Sequence, residues 1–435
     1  MPVTLPASKE IAPAPSLDRA RMAWVDNLRT FIIVLVVNMH ACVTYSHVGS
    51  WYVMEQPEPP LAVKIGFLFW QGHLQAFFMG LLFYLAGVFA HNSFERRGPM
   101  RFLRERAVRL CLPALLYMLA LDPLIVFVIL RRNGATSMAQ NYVKYVTSGR
   151  FLSGNGPLWF ALALFVLSVF FALWRRWPTR DLQPPPPAPG ATKGGFRKSS
   201  PRSSRREEAH FSSNQTNQSL LTSAATNFES APGATRLAIF ALMLVLASFL
   251  VLTVQPIGAN VMNFQLCFFV QYIAAFAAGI ATAKHGWLES LATSRRAQVA
   301  GWLGIVAGPL LLLSVLKLGG APPERGPNPY AGGWQPQALG LALWEQLTGV
   351  ALGLGMLALF RSYFTLSSPF SRWLSDRSFA VYVLHAPVLV ALTLWLRPIP
   401  GNPLAKMLML TCLGLVASYL AADVAKRVPG LRSIL

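Results

Sequence analysis

A chain of 435 residues that is 54% hydrophobic and only 13% charged carries about half the ~25% charge of a soluble domain, which excludes a soluble globular fold. Its 38 Lys and Arg against 17 Asp and Glu give a net charge of +21, but no stacking platform or recognition helix accompanies the basic loops, which speaks against a nucleic-acid partner. The four cysteines, Cys42, Cys111, Cys267 and Cys412, have no zinc or disulfide spacing, and the chain has no Gly-rich phosphate loop or Gly-x-Ser-x-Gly elbow, so neither a metal site nor a fused nucleotide enzyme is expected.

Residues 1–22 are rich in Pro and Ala, lack the short apolar core of a cleavable signal, and read as a cytoplasmic tail. Ten apolar stretches follow, near residues 29–47, 65–91, 107–130, 156–176, 236–254, 263–283, 298–317, 340–360, 378–396 and 404–424. Each is long enough to cross a hydrocarbon core of about 30 Å. They are too long and too uniformly apolar for barrel strands, and backbone in lipid must satisfy its own hydrogen bonds. The expected fold is therefore all-α, a polytopic membrane bundle of about ten transmembrane helices. Four helices fall in residues 23–177 and six in 236–435. The segment between them, 178–235, is basic and Pro/Ser-rich with few apolar side chains; it cannot bury a core and reads as a disordered cytoplasmic linker.

The first span begins Asp26-Asn-Leu-Arg29 and holds His40 eleven positions later, close to three helical turns, so the two side chains share a face roughly 16 Å apart along the axis. A histidine that deep in a bilayer is a functional-site candidate, able to take a proton from a hydroxyl or to attack an acyl group; it could equally pack helices by hydrogen bonding. The Arg29 guanidinium, at the membrane interface, suits phosphate or carboxylate, or serves as a topological anchor. In span two, Gln71 and Gln75 share a face as polar glue and His73 points elsewhere. Glu345 in the outer part of span eight needs a partner or a watery cavity, either as an interface acid or as a catalytic one. His385 in span nine precedes Pro387, which frees a backbone carbonyl that the imidazole could satisfy.

Lys and Arg cluster before span one, between spans two and three (Arg96 to Arg109) and after span four (Arg175 to Arg206), which puts both termini in the cytoplasm. The opposite loops are sparse in cations, with Arg131, Arg132, Lys144 and Arg150 as the main exception.

Arg29, ten intervening residues and His40 are similar to the hallmark of the membrane-bound acyltransferase-3 family. Four further blocks resemble it in order: Phe77-Phe-Met-Gly-Leu-Leu-Phe-Tyr-Leu-Ala-Gly87, Arg104-Glu-Arg-Ala-Val-Arg-Leu-Cys-Leu-Pro113, Gly156-Pro-Leu-Trp-Phe160 and Ser378-Phe-Ala-Val-Tyr-Val-Leu-His385. Asp26-Asn-Leu-Arg29 and Gly156-Pro-Leu-Trp-Phe160 look most like the branch named for glucans biosynthesis protein C, which transfers succinyl groups to periplasmic glucans; the 178–235 segment departs from that branch's compact pattern. The resemblance implies a multi-pass enzyme of a bacterial inner or plasma membrane, with acyl-CoA as co-substrate, no tightly bound cofactor, and a carbohydrate hydroxyl as acceptor. It points to His40 and Arg29 as catalytic residues, with His40 acting as general base or acyl carrier. Arg29, Arg106 and Arg109 become donor-binding candidates, and Asp26, His73, Gln75, Trp159, Glu345 and His385 supporting polar candidates. A transporter or flippase of a lipid-linked saccharide is the alternative, against which no internal repeat or pair of Gly/Pro-broken half-helices is evident.

Deleting about residues 182–230 with a short flexible replacement is expected to leave the bundle inserted and the transferase active, because the segment has nothing to fold around. Membrane fractionation and an acyl-transfer assay check this. Normal insertion with lost activity would show that the linker recruits a donor or partner.

Overall fold

The computed structural model describes residues 17–132, 137–176, 231–323 and 326–434. Most of the 178–235 linker and most of the 1–22 tail lie outside the described residues. Among those described, ten helices are long and apolar enough to cross a membrane and there is no strand.

The helices are α1 (Leu17–Ser46), α2 (Leu61–Arg97), α3 (Pro99–Arg131), a rim helix α4 (Met138–Thr147), α5 (Trp159–Arg176), α6 (Ala234–Val254), α7 (Phe269–His285), α8 (Arg295–Gly319), α9 (Pro336–Tyr363), α10 (Pro369–Leu396) and α11 (Pro403–Arg427). All ten sequence-expected spans are present. Several run past their apolar core, because helix ends are set by capping chemistry and not by hydrophobicity. Proline occupies the first turn of α3, α9, α10 and α11, where its missing N–H costs nothing. Ser368 and Ser371 form a capping box at α10, and the Ser294 and Asn402 side chains accept from backbone N–H groups at the starts of α8 and α11.

Span three is a helix interrupted twice. Wide π turns at Ala107–Cys111 and Tyr117–Leu121 each lie just before a proline, Pro113 and Pro123, whose ring removes a ladder donor. The second turn begins at Tyr117 and ends beside Asp122, both buried.

Between helices in lipid there is little hydrophobic drive, so close approach depends on small residues. The α2–α7 crossing is built on Gly87 and Gly279. A Cβ on Gly87 would lie 2.2 Å from the Phe276 carbonyl oxygen, and one on Gly279 would lie 2.0 Å from that of Tyr84. At the α8–α9 crossing, Gly301 and Gly355 meet the same way, backbone against backbone.

Helix α1 packs against α2, α10 and α11 at the centre of the bundle, with Trp24, Val25, Leu28, Ile32 and Val37 almost fully buried. At its far end the chain turns back sharply through His47 and Gly49, which have φ of 58° and 99°. The returning segment is pinned to α1 by Glu55 N–H donating to the Thr44 carbonyl at 2.9 Å. The Glu55 carboxylate pairs with Lys406 of α11, the two side chains being 13% and 7% exposed. Breaking one half of so buried a pair typically costs about 3–5 kcal/mol, so this segment is held in place and not merely draped.

Candidate active site

The pinned segment sets Trp51 directly over His40, their rings stacked with centroids 3.8 Å apart. His385 of α10 lies beside both rings, its centroid 5.2 Å from that of His40 and 6.3 Å from that of Trp51, with the three planes within about 23° of one another. His385 is fully buried, and its Nδ1 lies 2.7 Å from the Tyr382 carbonyl. A carbonyl can only accept, so Nδ1 carries the proton and Nε2 presents a lone pair. That Nε2, the Nδ1 of His40 and the Nε1 of Trp51 are all buried with no hydrogen-bond partner among the described residues. A buried orphan nitrogen costs free energy unless something else binds it. Three orphans in one cluster of rings make it the candidate site among the described residues. His385 thus satisfies a backbone carbonyl and still has a free base nitrogen.

Next to this stack is a hydrogen-bonded hub that the sequence reading did not single out. Asp122 of α3 is 5% exposed. It accepts from Tyr145 of α4 at 2.8 Å and from Tyr52, which also contacts the Tyr117 hydroxyl at 3.0 Å. Burial, reinforced by Tyr117 and Asp122, pushes the Tyr52 hydroxyl far above the usual phenol range; burial and Asp122 do the same to Tyr145. Both therefore stay protonated and donate. The Gly156-Pro-Leu-Trp-Phe160 block explains itself here. Gly156 has φ of 47° and lies so close that a Cβ would meet the Tyr117 ring at 2.6 Å, while Pro157 offers its carbonyl to the Tyr382 hydroxyl. Asn263 clamps the same turn by donating to Asn155 and to the Gly156 carbonyl.

Gln75, Trp159 and Glu345 converge on a third group around Tyr272 of α7. Gln75 donates to the Tyr272 hydroxyl at 3.0 Å, and Trp159 stacks on its ring at 5.6 Å. Glu345 lies within electrostatic range of Tyr272 and is 7% exposed, inside the bundle and not at its rim. Its Oε1 is buried without a partner among the described residues. Neighbouring Gln346 accepts from Gln271, which also donates to the Ala76 carbonyl. Phe160 links this group to the first through Tyr382, at 6.1 Å between rings. His73 stands apart: its Nδ1 bonds the Phe69 carbonyl and its ring meets the edge of Trp344.

The cations lie elsewhere. Arg29 is about half exposed, 3.7 Å from Asp26 and over the Phe89 ring. An ion pair so open to solvent is worth at most about 1 kcal/mol, so the guanidinium is available to a ligand. The Asp26-Asn-Leu-Arg29 start also has a structural part, since the Asn27 amide donates to the Phe364 and Leu366 carbonyls and ties α1 to the α9–α10 loop. Arg106 bridges α3 to α5 by donating to Ser168, and Arg109 is exposed. The structure thus brings His40 to His385 and Gln75 to Trp159 and Glu345. It places Arg29 and Asp26 at the opposite end of α1, and Arg106 and Arg109 on α3. Trp51, Tyr52 and Asp122 are new members. Asp122 was visible as a carboxylate within the third apolar run, a signal that on its own marks a functional candidate.

The family model described as an acyltransferase domain matches residues 22–423. No curated protein and no solved structure matches the chain.

Proposed function

The chain belongs to the acyltransferase-3 family and is a membrane acyltransferase, and from that premise we propose that it moves an acetyl or succinyl group from cytoplasmic acyl-CoA to a hydroxyl of a carbohydrate outside the membrane. The observation that carries this reading is the cluster of His40, Trp51 and His385 rings, with its orphaned ring nitrogens, at one end of α1 while the half-exposed Arg29 guanidinium stands at the other. The two ends are roughly 16 Å apart by helical rise, a distance that the extended arm of CoA can bridge from a phosphate held at Arg29.

With the thioester at the stack, a ring nitrogen of His40 takes the proton from the acceptor hydroxyl as its oxygen attacks the thioester carbonyl. The carbon–sulfur bond then breaks, and the departing thiolate recovers a proton from the imidazolium. In the two-step variant a His40 nitrogen attacks the thioester carbonyl and expels the CoA thiolate, which takes the ring N–H proton; the acceptor hydroxyl then attacks the acyl-imidazole, the nitrogen–acyl bond breaks, and the hydroxyl proton returns to the imidazole. His385, its tautomer fixed by the Tyr382 carbonyl, holds the ring plane of His40 and offers a second acceptor nitrogen. Trp51 excludes water that would hydrolyse the thioester. Asp26-Asn-Leu-Arg29 and Gly156-Pro-Leu-Trp-Phe160 support a succinyl donor and a glucan acceptor, as in the branch named for glucans biosynthesis protein C.

Mass spectrometry of envelope glycans with and without the gene tests the proposal. The expected result is an acyl mass increment present only when the protein is made; identical glycans would remove it.

Arg29→Lys keeps the charge but loses the planar fork, so donor saturation should need about tenfold more acyl-CoA, as the loss of one charge-assisted contact implies. Steady-state kinetics at varied donor concentration check this. An unchanged donor dependence would return Arg29 to a topological anchor.

A further inference from the structure

Where α3 ends and the rim helix α4 packs beside it, a cavity of about 140 Å³ opens on the His40 side of the molecule. Its lining combines two chemistries. Phe127 and Tyr142 bring aromatic rings among the apolar Pro123, Val126 and Leu130, and Asn141 an amide whose nitrogen donates to the Ser137 carbonyl, the mix of apolar surface and polar group that a sugar ring requires. Lys144 and Arg150 add positive charge. Both cations are exposed, and neither makes an ion pair with another described residue. Asp122, the nearest carboxylate of the hub, is turned inward to the Tyr52 and Tyr145 hydroxyls and leaves that charge standing.

These cations also break the pattern of the chain. The loops at this end are otherwise sparse in Lys and Arg, as topology favours, with Arg131, Arg132, Lys144 and Arg150 as the main exception, and of these Lys144 and Arg150 line the cavity. Charge kept against the topological bias needs a ligand to justify it. The cavity is joined to the histidines by direct contacts. Tyr145 lines it and donates to Asp122; Asp122 accepts from Tyr52; Tyr52 meets the edge of Trp51 at 5.2 Å, and Trp51 covers His40.

We propose that the cavity between α3 and α4 is the acceptor subsite and takes a saccharide bearing an anionic substituent, a phosphate or a carboxylate. The word acceptor rests on the transferase reading; the binding of an anionic sugar does not. The rings take the sugar face, Lys144 and Arg150 hold the anion, and the linked tyrosines report occupancy toward Trp51.

The test uses the full chain in phosphatidylcholine nanodiscs and saturation-transfer NMR with glucose 6-phosphate and glucose as probes, and inorganic phosphate as a competitor that should lower the glucose 6-phosphate signal. The expected result is transfer to the ring protons of glucose 6-phosphate well above that to glucose. The Lys144→Gln/Arg150→Gln protein should show about tenfold weaker binding, while Lys317→Gln, removing an exposed cation elsewhere, should bind as the unchanged chain does. Equal signals from glucose and glucose 6-phosphate, or an unchanged double variant, would overturn the proposal. So would loss of the sugar signal when phosphatidylglycerol is added to the nanodiscs, which would assign the cations to a lipid headgroup. No turnover is needed, so a negative result here leaves the transferase reading intact, and unacylated glycans would leave a positive one intact.

Discussion

His40→Ala is expected to abolish measurable acyl transfer while the protein still accumulates in the membrane. A positioned base contributes about 10²- to 10⁴-fold, and if His40 carries the acyl group the loss is complete. The ring is held by its contacts with Trp51 and His385 and not by hydrogen bonds from its Nδ1, so its removal leaves a gap in the cluster but no partner of that nitrogen orphaned. His40→Gln fills more of that gap and should be just as inactive. The check is transfer from radiolabelled acyl-CoA in membranes normalised to protein by immunoblot. Full activity in His40→Ala would reduce the histidine to a packing element.

The largest structural effect is expected at Gly279→Val. Ordinary overpacking costs about 1–3 kcal/mol because side chains yield. Here the new Cβ would lie 2.0 Å from the Tyr84 carbonyl oxygen, and only separation of α2 from α7 relieves it. That separation would pull Tyr272 off the face of Phe83 and break its hydrogen bond from Gln75. We expect the variant to lose its monodisperse peak in detergent and to unfold at a much lower temperature. Gly66→Ala, on the same helix α2 with nothing within 4 Å of the new methyl, should be neutral or slightly stabilising. If both behave alike, the crossing is not limited by backbone approach.

The ten spans were legible because a bilayer demands length and uniform apolarity, and both are written locally in the chain. Arg29 and His40 were legible for the same reason, as polar residues in a run that excludes them. The partners of His40 were not. Trp51 sits in a loop whose path depends on the Glu55–Lys406 pair, an interaction between residues at opposite ends of the sequence that no local pattern announces. His385 was visible as a candidate but not as a neighbour of His40, because helix adjacency in a bundle is set by crossings such as Gly87–Gly279 and not by chain order. Glu345 allowed two readings, interface acid or catalytic acid; its place inside the bundle is set by helix packing, which the local sequence does not announce. Asp122 was passed over within an apolar run although its charge was the clue.

The tie between Glu55 and Lys406 has a consequence for how the molecule comes into being. Translation delivers the N-terminal helices first, so α1 and the Trp51 segment emerge long before α11 exists. Until the last helix enters the bilayer, the Glu55 carboxylate has no counter-ion and Asn38 lacks its contact to Thr411. The roof over His40 has its local backbone tie to Thr44 from the start, but its ionic pin is added only when α11 arrives, and a product stalled before that helix keeps its pinning acid unpaired.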